Sequence, residues 1–262
     1  MSLPPRTSSS TSSEDRTDDG RLRVAHFPKY NGVLVTETSL PNWKKLLVIV
    51  AHPDDESFGL GAVLSTFIES GTDVSVLCFT RGEASTLRSV DGDLSTIRAK
   101  ELKAAALEMG VSEVHLQNFP DGGLQSIAVP SLLNEAAAIS KLKEPDGILA
   151  FDTSGVTGHP DHIQATVVAS RLATQLGVGL LGWTLPRTVA NSLNDEFGSS
   201  LAGYEEGEID FVISVNREKQ RRAVECHPSQ LAPGIMLWRR LELQSEKECL
   251  RWLHHPEFEE PL

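Results

Sequence analysis

The sequence predicts an α/β protein, a Rossmann-like three-layer sandwich with a mostly parallel central sheet. Short runs rich in Val, Ile and Leu are typical of strands at residues 46–50, 74–79, 114–116, 147–151, 179–184 and 211–215. Segments with helical periodicity lie between or after them, at residues 57–70, 94–109, 131–142, 161–176 and 217–226. Strands that alternate with helices of this length indicate crossover units, in which helices cover both faces of a parallel sheet.

Composition indicates a globular protein that acts on a small molecule. The chain has 262 residues, of which 40% are apolar, and its formal net charge is -12. This acidity disfavours contact with nucleic acid phosphates or with anionic membrane surfaces. No apolar stretch reaches the roughly 18 residues that a membrane-spanning helix needs.

We expect three regions along the chain. Residues 1–20 are polar and read as a disordered tail, and residues 21–44 read as an irregular extension with a short strand at 32–36. Residues 45–262 are expected to form a single domain. The first residues lack the apolar core of a secretory signal, and Cys78, Cys226 and Cys249 suggest no disulfide framework. A cytoplasmic location is therefore expected, and a homo-oligomer is left open.

Polar residues follow each of the first four predicted strands. The strands lead into AHPDDE at residues 51–56, TRGE at 80–83, FPDGG at 119–123 and DTSGVTGHPDH at 152–162. In open parallel sheets, ligands collect at the carboxyl ends of the strands. The sequence therefore predicts one site, built from histidines, carboxylates and an arginine, at this edge of the sheet.

A dinucleotide site is the first alternative for the turn after the first strand. Gly59 and Gly61 provide two glycines of the phosphate-binding pattern, but the third position is Leu64. Asp54 and Asp55 stand where the pyrophosphate would lie, so an anion would meet anions. The acidic turn favours a cation instead.

The same residues predict a catalytic divalent metal site. His52 and Asp55 are three residues apart across a turn, and His162 follows the fourth strand, so all three are candidate ligands. Two imidazoles and one carboxylate leave a position open for water, as catalytic zinc sites do. Asp54 is then the candidate general base. His159, held protonated by Asp161, is the candidate acid that assists the oxyanion or the leaving group.

The AHPDDE and GHPDH motifs, in this order, resemble those of the PIG-L/LmbE-like zinc-dependent deacetylases over roughly residues 45–230. The resemblance implies removal of the acetyl group from an N-acetylglucosamine-type substrate, with one zinc ion per chain. It implies that Arg81 and Asp121 bind substrate. The substrate's aglycone and the use of another divalent metal, such as Fe²⁺, are left open.

Simpler interpretations stand beside these roles. His159 could cap the helix that begins at Pro160, and Asp161 could be a first-turn acid that favours the helix dipole. Arg81 could pair with Glu83 at the surface, and Asp121 fits a turn. His227 is expected to end the last core helix, with a place near the substrate mouth left open. Alternative functions are a zinc hydrolase of another linear amide and a non-catalytic sugar-binding protein.

Overall fold

The structure is a computed structural model that describes residues 36–87 and 91–255. A seven-stranded sheet runs through it in the order β3-β2-β1-β4-β5-β7-β6. The strands are β1 (Lys45–Val50), β2 (Asp73–Thr80), β3 (Glu113–Phe119), β4 (Gly147–Phe151), β5 (Gly179–Thr184), β6 (Phe211–Ser214) and β7 (Lys247–His254). Strands β1 to β5 pair in parallel, whereas β7 pairs antiparallel with both β5 and β6. The expected mostly parallel α/β sandwich is confirmed.

Helices connect and cover these strands. They are α1 (Asp55–Phe58), α2 (Gly61–Glu69), α3 (Leu94–Met109), α4 (Val129–Lys143), α5 (Pro160–Leu176), α6 (Arg187–Phe197), α7 (Glu218–Glu225) and α8 (Met236–Gln244). Pro160 occupies the first turn of α5, where its missing N–H has no intrahelical partner to lose. Among the helices of the described residues, none has both the length and the apolar character to cross a bilayer.

The central strand β1 is buried on both faces, which explains its continuous apolar sequence. Leu46, Val48 and Val50 pack in a core with residues of α2 and α3. Leu47 and Ile49 pack in a second core with residues of α4 and α5. This alternation fixes the register of β1 and therefore the position of the turn that follows it.

Several elements differ from the prediction. The helix expected at 57–70 is split into α1 and α2, and the structure adds β7, α6 and α8. At the split, a side chain on Gly59 would approach the Phe151 ring to 2.5 Å. The predicted tail at 1–20 and most of the predicted strand at 32–36 lie outside the described residues. Glu37 forms an isolated parallel bridge with Phe211.

The sheet order creates a switch point between β1 and β4. From β1 the chain adds β2 and β3 on one side, and from β4 it adds β5 on the other side. Loops at such a point diverge and leave a crevice at the carboxyl ends of the strands. The AHPDDE turn after β1 and the HPDH turn after β4 both border this crevice.

Candidate metal centre and active site

A cavity of about 640 Å³ opens at the carboxyl ends of the strands. Its lining residues include His52, Asp54, Asp55, His159 and His162. The two motifs that are about a hundred residues apart in sequence therefore meet in one cavity. A volume in the range of about 300–1,000 Å³ suits a small-molecule ligand.

The three predicted metal ligands lie within contact distance of one another. His52 Nδ1 is 3.1 Å from His162 Nε2, and His162 Nε2 is 3.2 Å from Asp55 Oδ1. His52 Nδ1 is also 3.7 Å from Asp55 Oδ2. Ligand atoms about 2.0–2.2 Å from one tetrahedral ion are roughly 3.3–3.6 Å apart, so these separations fit a shared ion.

Hydrogen bonds to the remaining ring nitrogens favour tautomers suited to metal binding. His162 Nδ1 lies 3.2 Å from the Gly155 carbonyl oxygen, and His52 Nε2 lies 3.0 Å from Asp121 Oδ1. When these nitrogens carry the protons, the lone pairs of His52 Nδ1 and His162 Nε2 face each other. Two facing lone pairs beside a carboxylate are suited to a bound cation, and outer-shell partners of this kind orient metal-binding histidines. The donor set therefore fits a divalent metal.

The surroundings of the imidazoles are strongly acidic. Burial alone would lower the pKa of His52, but hydrogen bonds to Asp121 and Asp161 and the nearby Asp55 raise it to about 10. Burial would also lower the pKa of His162, but the neighbouring Asp55 raises it above its usual value. The carboxylates thus favour positive charge at the point where the two ring nitrogens meet, as a cation site requires.

A second combination of donors also exists at this site. Ring nitrogens of His52, His159 and His162 lie within 4.8 Å of one another. However, His159 Nδ1 accepts a hydrogen bond from the Asp161 backbone N–H at 3.2 Å. Asp55 contacts the facing nitrogen pair directly, so it remains the better candidate for the third ligand.

Asp54 lies beside the candidate ligands in a strained backbone conformation. Its φ of 111° is in the left-handed region, which a residue with a side chain rarely adopts. Its Oδ2 is 2.9 Å from Nη2 of the buried Arg98, a contact that the sequence analysis missed. Burial raises the pKa of Asp54 to about 6, while Arg98 acts against that shift. A carboxylate in this setting can accept a proton near neutral pH.

Arg98 also fixes the loops around Asp54. Its Nη1 donates to the Gly82 carbonyl oxygen at 2.7 Å, and its Nη2 contacts the Pro53 carbonyl oxygen. A Cβ atom on Gly82, whose φ is +65°, would come within 2.1 Å of the guanidinium. Gly82 is therefore required for the close approach of the TRGE loop to Arg98.

The predicted partnership of His159 and Asp161 is corrected by the structure. The Asp161 carboxylate accepts hydrogen bonds from the N–H groups of Gly122 at 2.8 Å and Leu124 at 3.0 Å, and it lies 3.3 Å from His52 Nε2. His159 caps α5, as the simpler interpretation expected. Burial, together with His52 and His162, lowers the pKa of His159, and Asp161 acts in the opposite direction.

The two predicted substrate-binding residues lie in different settings. Asp121 lines the cavity, where its Oδ1 is 3.0 Å from His52 Nε2 and its Oδ2 accepts the Ala84 N–H at 2.8 Å. The arginines that line the cavity, among the residues described, are Arg98 and Arg240, and Arg81 lies outside it. Glu83 accepts the Asp121 N–H at 2.9 Å, so it joins the loops after β2 and β3.

Two further residues, whose contact with each other the sequence did not predict, support the acidic turn on the side away from the cavity. Glu56 and His227 are fully buried, and His227 Nε2 lies 2.9 Å from Glu56 Oε1. Glu56 Oε2 accepts the backbone N–H of Asp54 at 2.9 Å. His227 thus connects the segment after α7 to the residue with the strained φ. The DDE triplet indicated an acidic turn, but no local pattern identified its distant partner.

Replacing His227 should weaken both stability and the geometry of Asp54. In His227→Leu, the Glu56 carboxylate stays buried without its imidazole partner, so we expect the free energy of unfolding to fall by about 1–3 kcal/mol. Urea unfolding monitored by circular dichroism would measure this change. His227→Gln, which keeps an N–H donor, should lose less, and equal stability of the Leu variant and the unchanged protein would contradict the supporting role.

Sequence comparison identifies relatives of the part of the chain that carries these motifs. The family model for PIG-L, GlcNAc-PI de-N-acetylase, matches residues 47–173. A Streptomyces griseus protein named 1D-myo-inositol 2-acetamido-2-deoxy-alpha-D-glucopyranoside deacetylase is 30% identical over 172 residues, which cover 56% of this chain and 54% of that protein. The chain spans about half the length of the curated relatives it matches.

Solved structures share the fold at lower identity. The N,N'-diacetylchitobiose deacetylase from Pyrococcus horikoshii aligns with a TM-score of 0.59 and 21% identity, over 80% of this chain and 84% of that one. A 4-carboxy-2-hydroxymuconate hydratase from Pseudomonas putida aligns with a TM-score of 0.52 and 17% identity, over 84% and 99%. These likenesses show the fold, which hosts more than one reaction. Residues 47–173, whose two motifs meet at this one site, thus match the PIG-L family.

Proposed function

We propose that this chain is a metal-dependent hydrolase that removes the N-acetyl group from an amino-sugar derivative and releases acetate and a free amine. The convergence of His52 Nδ1, His162 Nε2 and Asp55 Oδ1 beside Asp54 is the observation that carries the proposal. The names of the curated relatives, which are deacetylases of acetamido sugars, support the choice of substrate class.

His52, Asp55 and His162 would hold one divalent ion, for which zinc fits the two imidazoles and the carboxylate. When bound, such an ion polarises an amide carbonyl and lowers the pKa of water. Fe²⁺ is a second candidate for the same donors. In either case Asp121, Asp161 and the Gly155 carbonyl orient the two imidazoles through their outer nitrogens.

In the proposed reaction the C–N bond of the amide breaks and a C–O bond to water forms. Asp54 accepts the proton that water loses and delivers it to the leaving nitrogen, which departs as an amine. Arg98 holds the Asp54 carboxylate in place through the 2.9 Å ion pair. The carboxylic acid then gives up its proton and the amine gains one, so the products are a carboxylate and a protonated amine, and atoms and charge balance.

His159 has a revised part in this scheme. Since its Nδ1 accepts a backbone hydrogen bond, the proton of the neutral ring lies on Nε2. From its place in the cavity lining, that N–H can donate to the oxygen that becomes negative as water adds. Asp161 acts indirectly, by holding His52 and the loop that carries Asp121. Arg98 is the arginine that contacts Asp54, and the substrate-binding role of Arg81 stays a prediction.

A panel of acetylated sugars tests the proposal. The panel contains N-acetylglucosamine, its disaccharide and its inositol and malate glycosides, and both acetate and free amine are measured. We expect equal amounts of both products from at least one member, and none after chelation of the metal. Saturable binding of these sugars without any product would favour the alternative of a non-catalytic sugar-binding protein. Amine release only from other linear amides would favour the alternative hydrolase. Cytoplasmic location stays a prediction of the sequence.

A further inference from the structure

The cavity continues beyond the candidate metal ligands into a region that the proposed chemistry does not use. This apolar chamber is lined by Phe151, Trp183, Leu185, Leu201, Met236 and Leu237. The Phe151 ring lies 4.9 Å from the His162 ring and 5.5 Å from the Trp183 ring, measured between centroids. The chamber therefore begins directly beside a candidate metal ligand.

The two ends of the cavity differ in polarity and in exposure. The end over β2 and β3 contains Arg98 and Asp121 together with the exposed residues Ala84 and Thr86. The chamber lies at the ends of β4 and β5 and in the segments after them, and Trp183, Leu185 and Leu237 in its wall are buried. His52, Asp55 and His162 lie between these ends, because they follow β1 and β4. The first end, which also includes the exposed Leu87, is thus the more polar and exposed of the two, and the second is the more apolar and buried.

An amide substrate has a corresponding asymmetry. When its carbonyl group lies at the candidate ligands, the amide nitrogen and the α-carbon of the acyl group project to opposite sides of the carbonyl. A sugar with its hydroxyl groups suits the open polar end, where a further substituent can reach solvent. The acyl group then points into the enclosed apolar chamber.

Arg240 is the charged residue of this enclosed wall, among the described residues that line the cavity. Its guanidinium lies over the Trp183 ring at 4.9 Å, donates to Gln244 Oε1 at 2.6 Å and contacts the Phe58 carbonyl oxygen. These contacts engage the guanidinium within the protein, so the wall offers mainly apolar surface to a ligand.

We propose that the apolar chamber binds the acyl group of the substrate and that it accepts hydrocarbon chains longer than acetyl, which it binds more tightly than acetyl. This inference rests on the hydrolase activity proposed above and extends its substrates from N-acetylated to longer N-acylated amino sugars. Four of the six chamber residues lie beyond Trp183, and five of the six lie outside the segment 47–173 that matches the family model. The selectivity for acyl length is therefore a property of this chain's own C-terminal part.

Measurement of binding to a variant expected to be inactive tests the acyl chamber independently of the proposed hydrolase activity. The methyl glycosides of N-acetyl-, N-butanoyl- and N-hexanoylglucosamine would be titrated by calorimetry into the full-length, zinc-loaded Asp54→Asn variant. Burial of one methylene corresponds to about fourfold in affinity, so the butanoyl compound should bind at least about tenfold more tightly than the acetyl compound. Equal or weaker binding of the longer acyl groups would overturn the proposal.

Substitutions that fill the chamber test whether the tighter binding of longer acyl groups arises there. In Leu201→Trp and in Met236→Trp the ratio of hexanoyl to acetyl affinity should fall at least tenfold. The matched control is Leu107→Trp, at a residue that is 79% exposed on α3, and the ratio there should not change. An unchanged ratio in both chamber variants would place the acyl group elsewhere and contradict the proposal.

Hydrolysis by the unsubstituted protein completes the test. Release of amine that increases from acetyl to butanoyl would support both proposals. Tighter binding of the longer groups without amine from any compound would reject the hydrolase but retain the chamber's preference. Fastest release from the acetyl compound, with no gain in affinity for longer chains, would retain the hydrolase and reject the chamber.

Discussion

Asp54→Asn should reduce kcat by about 10²–10⁴-fold while the metal content of the protein stays unchanged. The substitution removes the carboxylate that accepts the proton of water, and loss of a general base typically has an effect of this size. The candidate ligands His52, Asp55 and His162 remain, so the ion should remain as well. Steady-state acetate release and metal analysis of the same preparation would measure both quantities.

A matched substitution on the surface provides the control for this result. Asp195 is exposed on α6, so Asp195→Asn should leave both turnover and metal content unchanged. Asp54→Asn also removes the ion pair with Arg98. Circular dichroism should therefore show that the variant is folded. Near-normal turnover by a folded Asp54→Asn variant would assign the general base to another residue.

His162→Ala should release the metal and, with it, the activity. His162 Nε2 faces both His52 Nδ1 and Asp55 Oδ1, so its loss removes one of three protein ligands. Loss of an outer-shell partner alone typically weakens metal binding about 10–100-fold, and loss of a direct ligand should weaken it more. Metal content after dialysis against metal-free buffer is the measurement.

His115 offers the comparison for this variant. It lies on β3, where its Nε2 is 3.4 Å from Glu113 Oε1, and it does not line the cavity. His115→Ala should keep its metal under the same dialysis. If His162→Ala also kept a full equivalent, His159 would become the candidate for the third ligand, since its ring nitrogens lie close to His52.

The sequence predicted the location of the site because strand order and polar motifs carry that information. AHPDDE and HPDH each follow a buried apolar strand, and parallel strands bring their carboxyl ends to one edge. His52, Asp54, Asp55 and His162 consequently meet in the cavity as the sequence analysis expected. Their roles in catalysis and metal binding stay predictions, which the substitutions above test.

Strand β7, which the sequence did not predict, contains a buried charge whose partner is distant in the sequence. Strand β7 carries Glu248, a fully buried residue that pairs with Arg217 and accepts the Trp183 Nε1–H at 2.7 Å. A strand with charged residues lacks the apolar run by which β1 was recognised. Arg98 was missed for a different reason: its helix was predicted, but arginines on helices are mostly exposed.

The Asp161 side chain makes hydrogen bonds other than the expected one to His159, because spacing alone does not determine hydrogen bonding. Both residues lie in the first turn of α5, but the Asp161 side chain binds the backbone of Gly122 and Leu124. Those N–H groups belong to the loop after β3, which the sequence placed at the same site without indicating that it contacts Asp161. A local motif therefore located these two residues and gave no information about their distant partners.

Titration of metal-free protein with zinc, with acetate release measured at each step, would show whether one bound metal ion is needed for hydrolysis. If His52, Asp55 and His162 hold one catalytic ion, release should be absent at first, rise in proportion to zinc and reach its maximum near one equivalent per chain. Acetate release at full rate from protein that contains no metal would contradict the account.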